Sequence, residues 1–142
     1  MPKSHFVLDS SVIIKWLNRI DEENLTYSDR LLDHLEKRKI TVVTPVLVKF
    51  EIGNALLKGK KLLIPEAIDV LDAFYKLPLQ FIDLESATAK NIYEIAYSYN
   101  ITFYDAAFIQ LAQQLDCPLI TANPKHQQKF PGVKVIPLFK YR

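Results

Sequence analysis

One cysteine, one methionine, one tryptophan and three glycines make up the whole supply of those residues, and no apolar run approaches the length needed to cross a bilayer. The lone Cys117 cannot close an internal disulfide, which agrees with a reducing compartment. Its neighbours Asp116 and Pro118 bring neither a base nor a cation, so Cys117 reads as a packed thiol and not as a nucleophile. The opening Met-Pro-Lys-Ser-His lacks the apolar core of a secretory leader, and a cytoplasmic location is the expectation. Histidine is scarce as well. His5, His34 and His126 fall at strand-start, helix and loop positions with no shared spacing, so no His/Cys metal set and no nucleophile triad competes for attention. There is no internal repeat, low-complexity segment or Gly/Ser-rich linker, and residues 1–142 read as one domain.

What is present is an ordinary globular composition, with 49% hydrophobic and 24% charged residues, enough to bury a core. The formal charge of +2 permits a polyanionic partner without demanding one. Lysines gather locally in Lys58-Gly59-Lys60-Lys61, in Lys37-Arg38-Lys39, and at Lys125 with Lys129. Such clusters can hold a phosphate backbone or can simply be solvated surface.

The chain is organised around Phe6-Val7-Leu8-Asp9-Ser10-Ser11. A short apolar run suits a strand buried on both faces of a parallel sheet, and Val12 to Leu17 resumes with little room for a loop. Asp9 is therefore expected at the carboxyl end of a central strand, the edge where open α/β sheets bind ligands. Helix capping by Asp9 or Ser10 is the competing reading. Further on, Ser28 could cap a helix carrying Leu31, Leu32 and Leu35. Thr41 to Thr44 reads as a strand, with Thr44-Pro45 opening a helix that runs to Gly59. Pro65 opens another helix, with Ile68, Leu71 and Tyr75 on one side. Leu79 to Leu84 alternates like a strand. A helix from Glu85 carries Thr88, Ile92, Ile95, Ala96 and Tyr99 on one face and stops at Asn100. Thr102 to Leu115 is a further helix. Pro118 to Asn123 and Val133 to Leu138 close the sheet. Alternating strands and helices predict a three-layer α/β/α domain around a mainly parallel sheet of about four or five strands.

Four positions could carry chemistry. Glu51 shares a helix face with Asn54 and Lys58, opposite the apolar stripe of Val48, Ile52, Ala55 and Leu56; pairing with Lys58 in solvent would also explain it. Asp105 lies one turn before Phe108, on a stripe continuing through Leu111, Ala112 and Leu115, so its carboxylate extends a core-facing row. Thr102-x-x-Asp105 also fits a capping box, and one residue can serve both ends. Thr121 and Asn123 end the fourth strand and would emerge beside Asp9 if the sheet is parallel, although both suit a turn before Pro124. Carboxylates gathered at one edge repel one another unless a cation neutralises them, and an all-oxygen set suits Mg²⁺ or Mn²⁺.

The ordered set Val7-Leu8-Asp9-Ser10-Ser11, Phe50-Glu51-Ile52-Gly53-Asn54, Phe103-Tyr104-Asp105-Ala106-Ala107 and Leu119-Ile120-Thr121-Ala122-Asn123 resembles the PIN domain, most of all the single-domain toxins of the VapC type. The resemblance spans essentially the whole chain. It implies a Mg²⁺- or Mn²⁺-dependent ribonuclease with Asp9, Glu51 and Asp105 at the acidic metal positions. Ser10 or Ser11 and Thr121 would be supporting hydroxyls, and Asn54 a nearby polar contact. It further implies a homodimer inhibited by a cognate antitoxin. The departure is Asn123, a neutral amide where many members carry an aspartate. A PIN module that is weakly active or inactive, and that binds RNA or a protein partner, is the second reading. A phosphatase of the haloacid-dehalogenase type also begins from an Asp after its first strand, but its second Asp would fall at position 11, where Ser11 stands.

Overall fold

Five short strands, Ser4–Leu8 (β1), Ile40–Pro45 (β2), Gln80–Ile82 (β3), Leu119–Thr121 (β4) and Val135–Pro137 (β5), lie in the order β3-β2-β1-β4-β5. They belong to a computed structural model that describes residues 3–142; Met1 and Pro2, part of the opening stretch read for a leader, lie outside the described residues. Every pairing is parallel, so the sheet is parallel throughout where the sequence predicts a mainly parallel one. Among the described residues six α-helices flank it: Ser10–Leu17 (α1), Leu25–Glu36 (α2), Leu47–Asn54 (α3), Ile64–Lys76 (α4), Ser86–Tyr99 (α5) and Phe103–Leu115 (α6). The result is a three-layer α/β/α domain. Val7 and Leu8 of β1, like Leu119 and Ile120 of β4, are wholly buried, which is why these strands read as unbroken apolar runs. No helix among the described residues is long and apolar enough to cross a membrane.

Topology, more than any local feature, places the site. The chain runs outward from β1 to β2 to β3, then returns through α5 and α6 to lay β4 on the other side of β1. Strand order reverses between β1 and β4, and a crevice opens outside carboxyl ends at such a switch point. Leu8 pairs with Ile120, so the next residues, Asp9 and Thr121, leave the sheet side by side.

Local expectations fail where tertiary contacts claim the polar group. Pro45 is the last residue of β2, not the first of a helix. The Thr44 hydroxyl is buried and donates to the Leu8 carbonyl at 3.0 Å instead of capping. The helix expected to run to Gly59 is α-helical only to Asn54, and Ala55–Gly59 winds as a π-helical turn. Ser28 does not cap α2. It lies inside that helix, buried, with its hydroxyl donating to the Leu25 carbonyl at 3.0 Å. In α4 the buried aromatic is Phe74, while Ile68 and Tyr75 are exposed, so the apolar face lies one residue round from the expected one. Leu115, expected on the buried stripe of α6, is 39% exposed. The expected stripe and left-handed stop of α5 are present, with Ile92 and Ile95 buried and Asn100 at φ 52°. Cys117 is half-buried, and burial pushes its thiol pKa up, as suits a packed thiol.

Candidate metal and active site

Asp9 directly follows the carboxyl end of the central strand β1, as expected, and it caps α1. Its Oδ1 accepts the Ser11 backbone N–H at 3.1 Å and, over a shorter contact, the Ser11 hydroxyl. Its Oδ2 accepts the Thr121 hydroxyl at 2.5 Å. The two hydroxyls are themselves held from β4: the Ala122 N–H donates to Ser11 Oγ and the Asn123 N–H donates to Thr121 Oγ1, each at 3.0 Å. The exit of β4 thus fixes the plane of the carboxylate through two hydroxyl bridges. Asp9 is only 8% exposed, and burial pushes its pKa from the ordinary 3.8 to about 6, against the lowering effect of the Ser11 and Thr121 hydrogen bonds.

Glu51 reaches the same place from the second turn of α3. It is half-buried, and its Oε1 accepts the Ser10 hydroxyl at 3.2 Å. Burial raises its pKa to about 7; the Ser10 bond opposes that rise, and the charges of Asp9 and Asp105 add to it. Asp105 comes from the first turn of α6. The Thr102 hydroxyl caps this helix by accepting the Asp105 backbone N–H at 3.0 Å. The Asp105 carboxylate makes no return bond to the cap among the described residues, so only half of the expected capping box forms and the carboxylate is left for the cleft.

A cleft of about 860 Å³ gathers Asp9, Ser10, Ser11, Glu51, Asp105 and Asn123 along its wall. Asn123 is exposed at the rim. Thr121 is wholly buried behind Asp9 and acts on the cleft only through that carboxylate. Asn54 is exposed, outside the lining, and so is not brought to the others. Phe108, Ala122, Pro124, Lys125, His126 and Gln128 complete the wall; of these, the sequence marked Lys125 as one of the lysines that could hold a phosphate backbone. For His126 and Gln128 the signal was the turn at Pro124 directly after a strand that ends at the site.

The donor set agrees with a hard divalent cation. Among the described residues the ion pairs of acidic side chains involve Glu22, Asp29 and Asp33, so Asp9, Glu51 and Asp105 share a cleft with no salt-bridge partner. The neighbouring carboxylates help to raise the pKa of Asp9 and of Glu51, a repulsion that a bound cation relieves. Nor are any three His, Cys, Asp or Glu side chains among the described residues close enough around one point to enclose an ion as they stand.

Comparison with known proteins agrees with this architecture. VapBC2 from Rickettsia felis, solved bound to a DNA fragment from its promoter, superposes with a TM-score of 0.71 at 19% identity, covering 94% of this chain and 98% of the other. VapC20 from Mycobacterium tuberculosis, described as a sarcin-ricin loop cleaving toxin, gives 0.67 at 13% identity over 91% and 98%. FitAcB from Neisseria gonorrhoeae gives 0.64 at 17% identity over 95% and 99%. No curated protein matches the sequence. These likenesses speak for the fold. The PIN domain profile matches residues 6–131, a span that runs from within β1 to beyond β4 and contains all the acidic residues of the cleft, and the chain is a member of the PIN domain family.

Proposed function

We propose that this PIN domain protein is a divalent-metal-dependent endoribonuclease, the toxin of a toxin–antitoxin pair. The observation that carries the reading is the unpaired trio Asp9, Glu51 and Asp105 on one cleft at the switch point of the sheet. In this reading the three carboxylates and the Asn123 amide oxygen hold Mg²⁺ or Mn²⁺, which when bound supplies an activated water and a Lewis acid for the scissile phosphate. The chain's own residues prepare that chemistry. Ser11 and Thr121 lock the Asp9 carboxylate in one plane, so little reorganisation remains when it takes up a ligand. Ser10 steers Glu51 toward the cleft. Burial of Asp9 keeps the dielectric around the reacting group low, which strengthens each charge interaction there.

A toxin–antitoxin complex among the similar solved structures supports an antitoxin partner, and a cytoplasmic location belongs to the same reading. Self-association is proposed through an apolar groove of about 290 Å³ that includes Leu47, Phe50, Ile82, Leu84, Phe103 and Tyr104. Of these, Phe50 at 73% and Tyr104 at 59% are far more exposed than core aromatics tolerate.

A labelled-RNA digestion in EDTA, Mg²⁺ or Mn²⁺ beside an Asp105→Asn control tests the enzyme. Cleavage that needs the cation and vanishes in the control is expected; cleavage in EDTA, or in the control, would refute it. The neutral Asn123 favours a second reading, a weak or inactive PIN module that binds RNA or a protein partner. Binding that survives Asp9→Asn with no cleavage in the parent would favour that one. Sedimentation at micromolar concentration giving only a monomer of 16.4 kDa would remove the self-association.

A further inference from the structure

Half of the residues lining the acidic cleft come from a single short segment, 122–128, immediately after β4. That segment is held at both ends. On one side the Ala122 and Asn123 N–H groups are tied to Ser11 and Thr121. On the other, Phe130 is buried edge-on against Tyr99, with ring centroids 5.1 Å apart, and Gln127 is 1% exposed. Between these anchors the chain coils tightly, with the Gln128 N–H donating to the Pro124 carbonyl at 2.9 Å and the Phe130 N–H to the Gln127 carbonyl at 3.3 Å. The side chains it presents are Lys125, His126 and Gln128, all exposed on the cleft.

Charge gives this turn a task. A cleft carrying three carboxylates repels a nucleic acid as strongly as it attracts a cation, and a polyanion must meet positive groups to dwell there. Lys125 is the only lysine or arginine in the lining, and among the described residues it has no acidic partner. By contrast, Lys60 in the more basic-looking Lys58-Gly59-Lys60-Lys61 run is spent on Glu22 at 2.6 Å. We propose that the 124–128 turn is the substrate-binding element of the cleft, with Lys125 and His126 holding the phosphate next to the scissile one in a single-stranded RNA and Gln128 offering its amide to a base edge. The inference rests on the nuclease reading for the word substrate, but the binding surface itself stands on the turn and its charges. Groups mounted on an anchored turn lose less entropy on binding than lysines on a free surface.

The test uses the full chain carrying Asp9→Asn and a short fluorescein-labelled single-stranded RNA, with anisotropy read between about 50 and 200 mM salt at about pH 8. Adding Lys125→Ala should weaken binding about fivefold and lower the slope of log affinity against log salt by about 0.7, the loss of one phosphate contact. Lys125→Arg should restore the slope. His126→Ala should weaken binding with the slope unchanged. Lys37→Ala, on a lysine paired with Asp33, should change neither. In the otherwise unaltered protein, Lys125→Ala should raise KM while kcat stays within about twofold. Unchanged affinity and slope in Lys125→Ala, or an equal loss in Lys37→Ala, would overturn the proposal. If the parent never cleaves but the slope still falls, the nuclease reading fails and the binding surface stands. If the parent cleaves and Lys125→Ala binds and cleaves like it, the reverse holds.

Discussion

Replacing Asp9 by asparagine should stabilise the metal-free protein at alkaline pH and do little or slight harm at acid pH. Burial raises the Asp9 pKa from 3.8 to about 6 in the folded chain. At about 1.4 kcal/mol per pH unit, ionising this buried group costs the folded state about 3 kcal/mol. The sign follows from linkage: the folded chain binds the proton more tightly than the unfolded chain. The parent therefore keeps this contribution below its unfolded pKa of 3.8, loses it progressively as pH rises, and levels off above about 6. Asparagine is close to isosteric and never pays that cost. It does lose hydrogen bonding that the protonated acid keeps. Its oxygen can keep the Ser11 N–H, but its NH₂ must face the Thr121 hydroxyl, which has to reverse from donor to acceptor. That loss is worth about 1–2 kcal/mol. Removing the Asp9 charge also eases ionisation of Glu51, whose pKa it helps to raise. The net expectation for Asp9→Asn is a gain of about 1–2 kcal/mol near pH 8 and a change between zero and a loss of about 1–2 kcal/mol near pH 4. Urea denaturation of both proteins in EDTA, with m-values compared, measures it. A variant less stable than its parent at pH 8, or a difference that does not move with pH, would show that Asp9 is a structural cap whose charge the fold needs.

Thr121→Val should cost about 1–3 kcal/mol near pH 8 and Thr121→Ser much less, because the hydroxyl both donates to Asp9 and accepts the Asn123 N–H; equal urea midpoints for the two variants would refute this. Millimolar Mn²⁺ should raise the parent's melting temperature, with Mn²⁺ preferred to Mg²⁺, since only the folded chain presents the cleft. Asn123→Asp, which adds a carboxylate at the exposed rim, should tighten Mn²⁺ binding about tenfold by calorimetry; identical affinities would make Asn123 only the turn residue before Pro124. Gln127→Leu should stabilise the chain by about 1 kcal/mol, because both amide atoms of this buried side chain lack a protein partner; a loss of more than about 1 kcal/mol in thermal unfolding would contradict that accounting.

By itself the sequence determined the elements whose periods are local. An apolar triplet running into a carboxylate specified a buried strand ending at Asp9, because continuous burial leaves no alternation to misread. The Ile92 and Ile95 stripe, the Asn100 stop and the Thr102 cap were legible for the same reason: each depends on neighbours within about one helical turn. Glu51 and Asp105 were legible as carboxylates continuing faces that should have been apolar or bland. Tertiary structure alone decided which of several equivalent local choices won. Thr44 is as good a cap as Thr102, but the Leu8 carbonyl across the sheet claims its hydroxyl. Phe74 and Tyr75 differ by one step around a helix, and only packing on Phe81 turns the first inward. Asn54 shares a helix with Glu51, yet the rotation of α3 leaves it outside the cleft. The Lys125 turn reached the site because one end is tied to Ser11 at the cleft and the other is packed on Tyr99, something no spacing in the chain records. Asp9 and Thr121 meet across 112 residues through strand register. Register is a property of paired backbones, and a one-dimensional pattern holds the residues without holding the pairing.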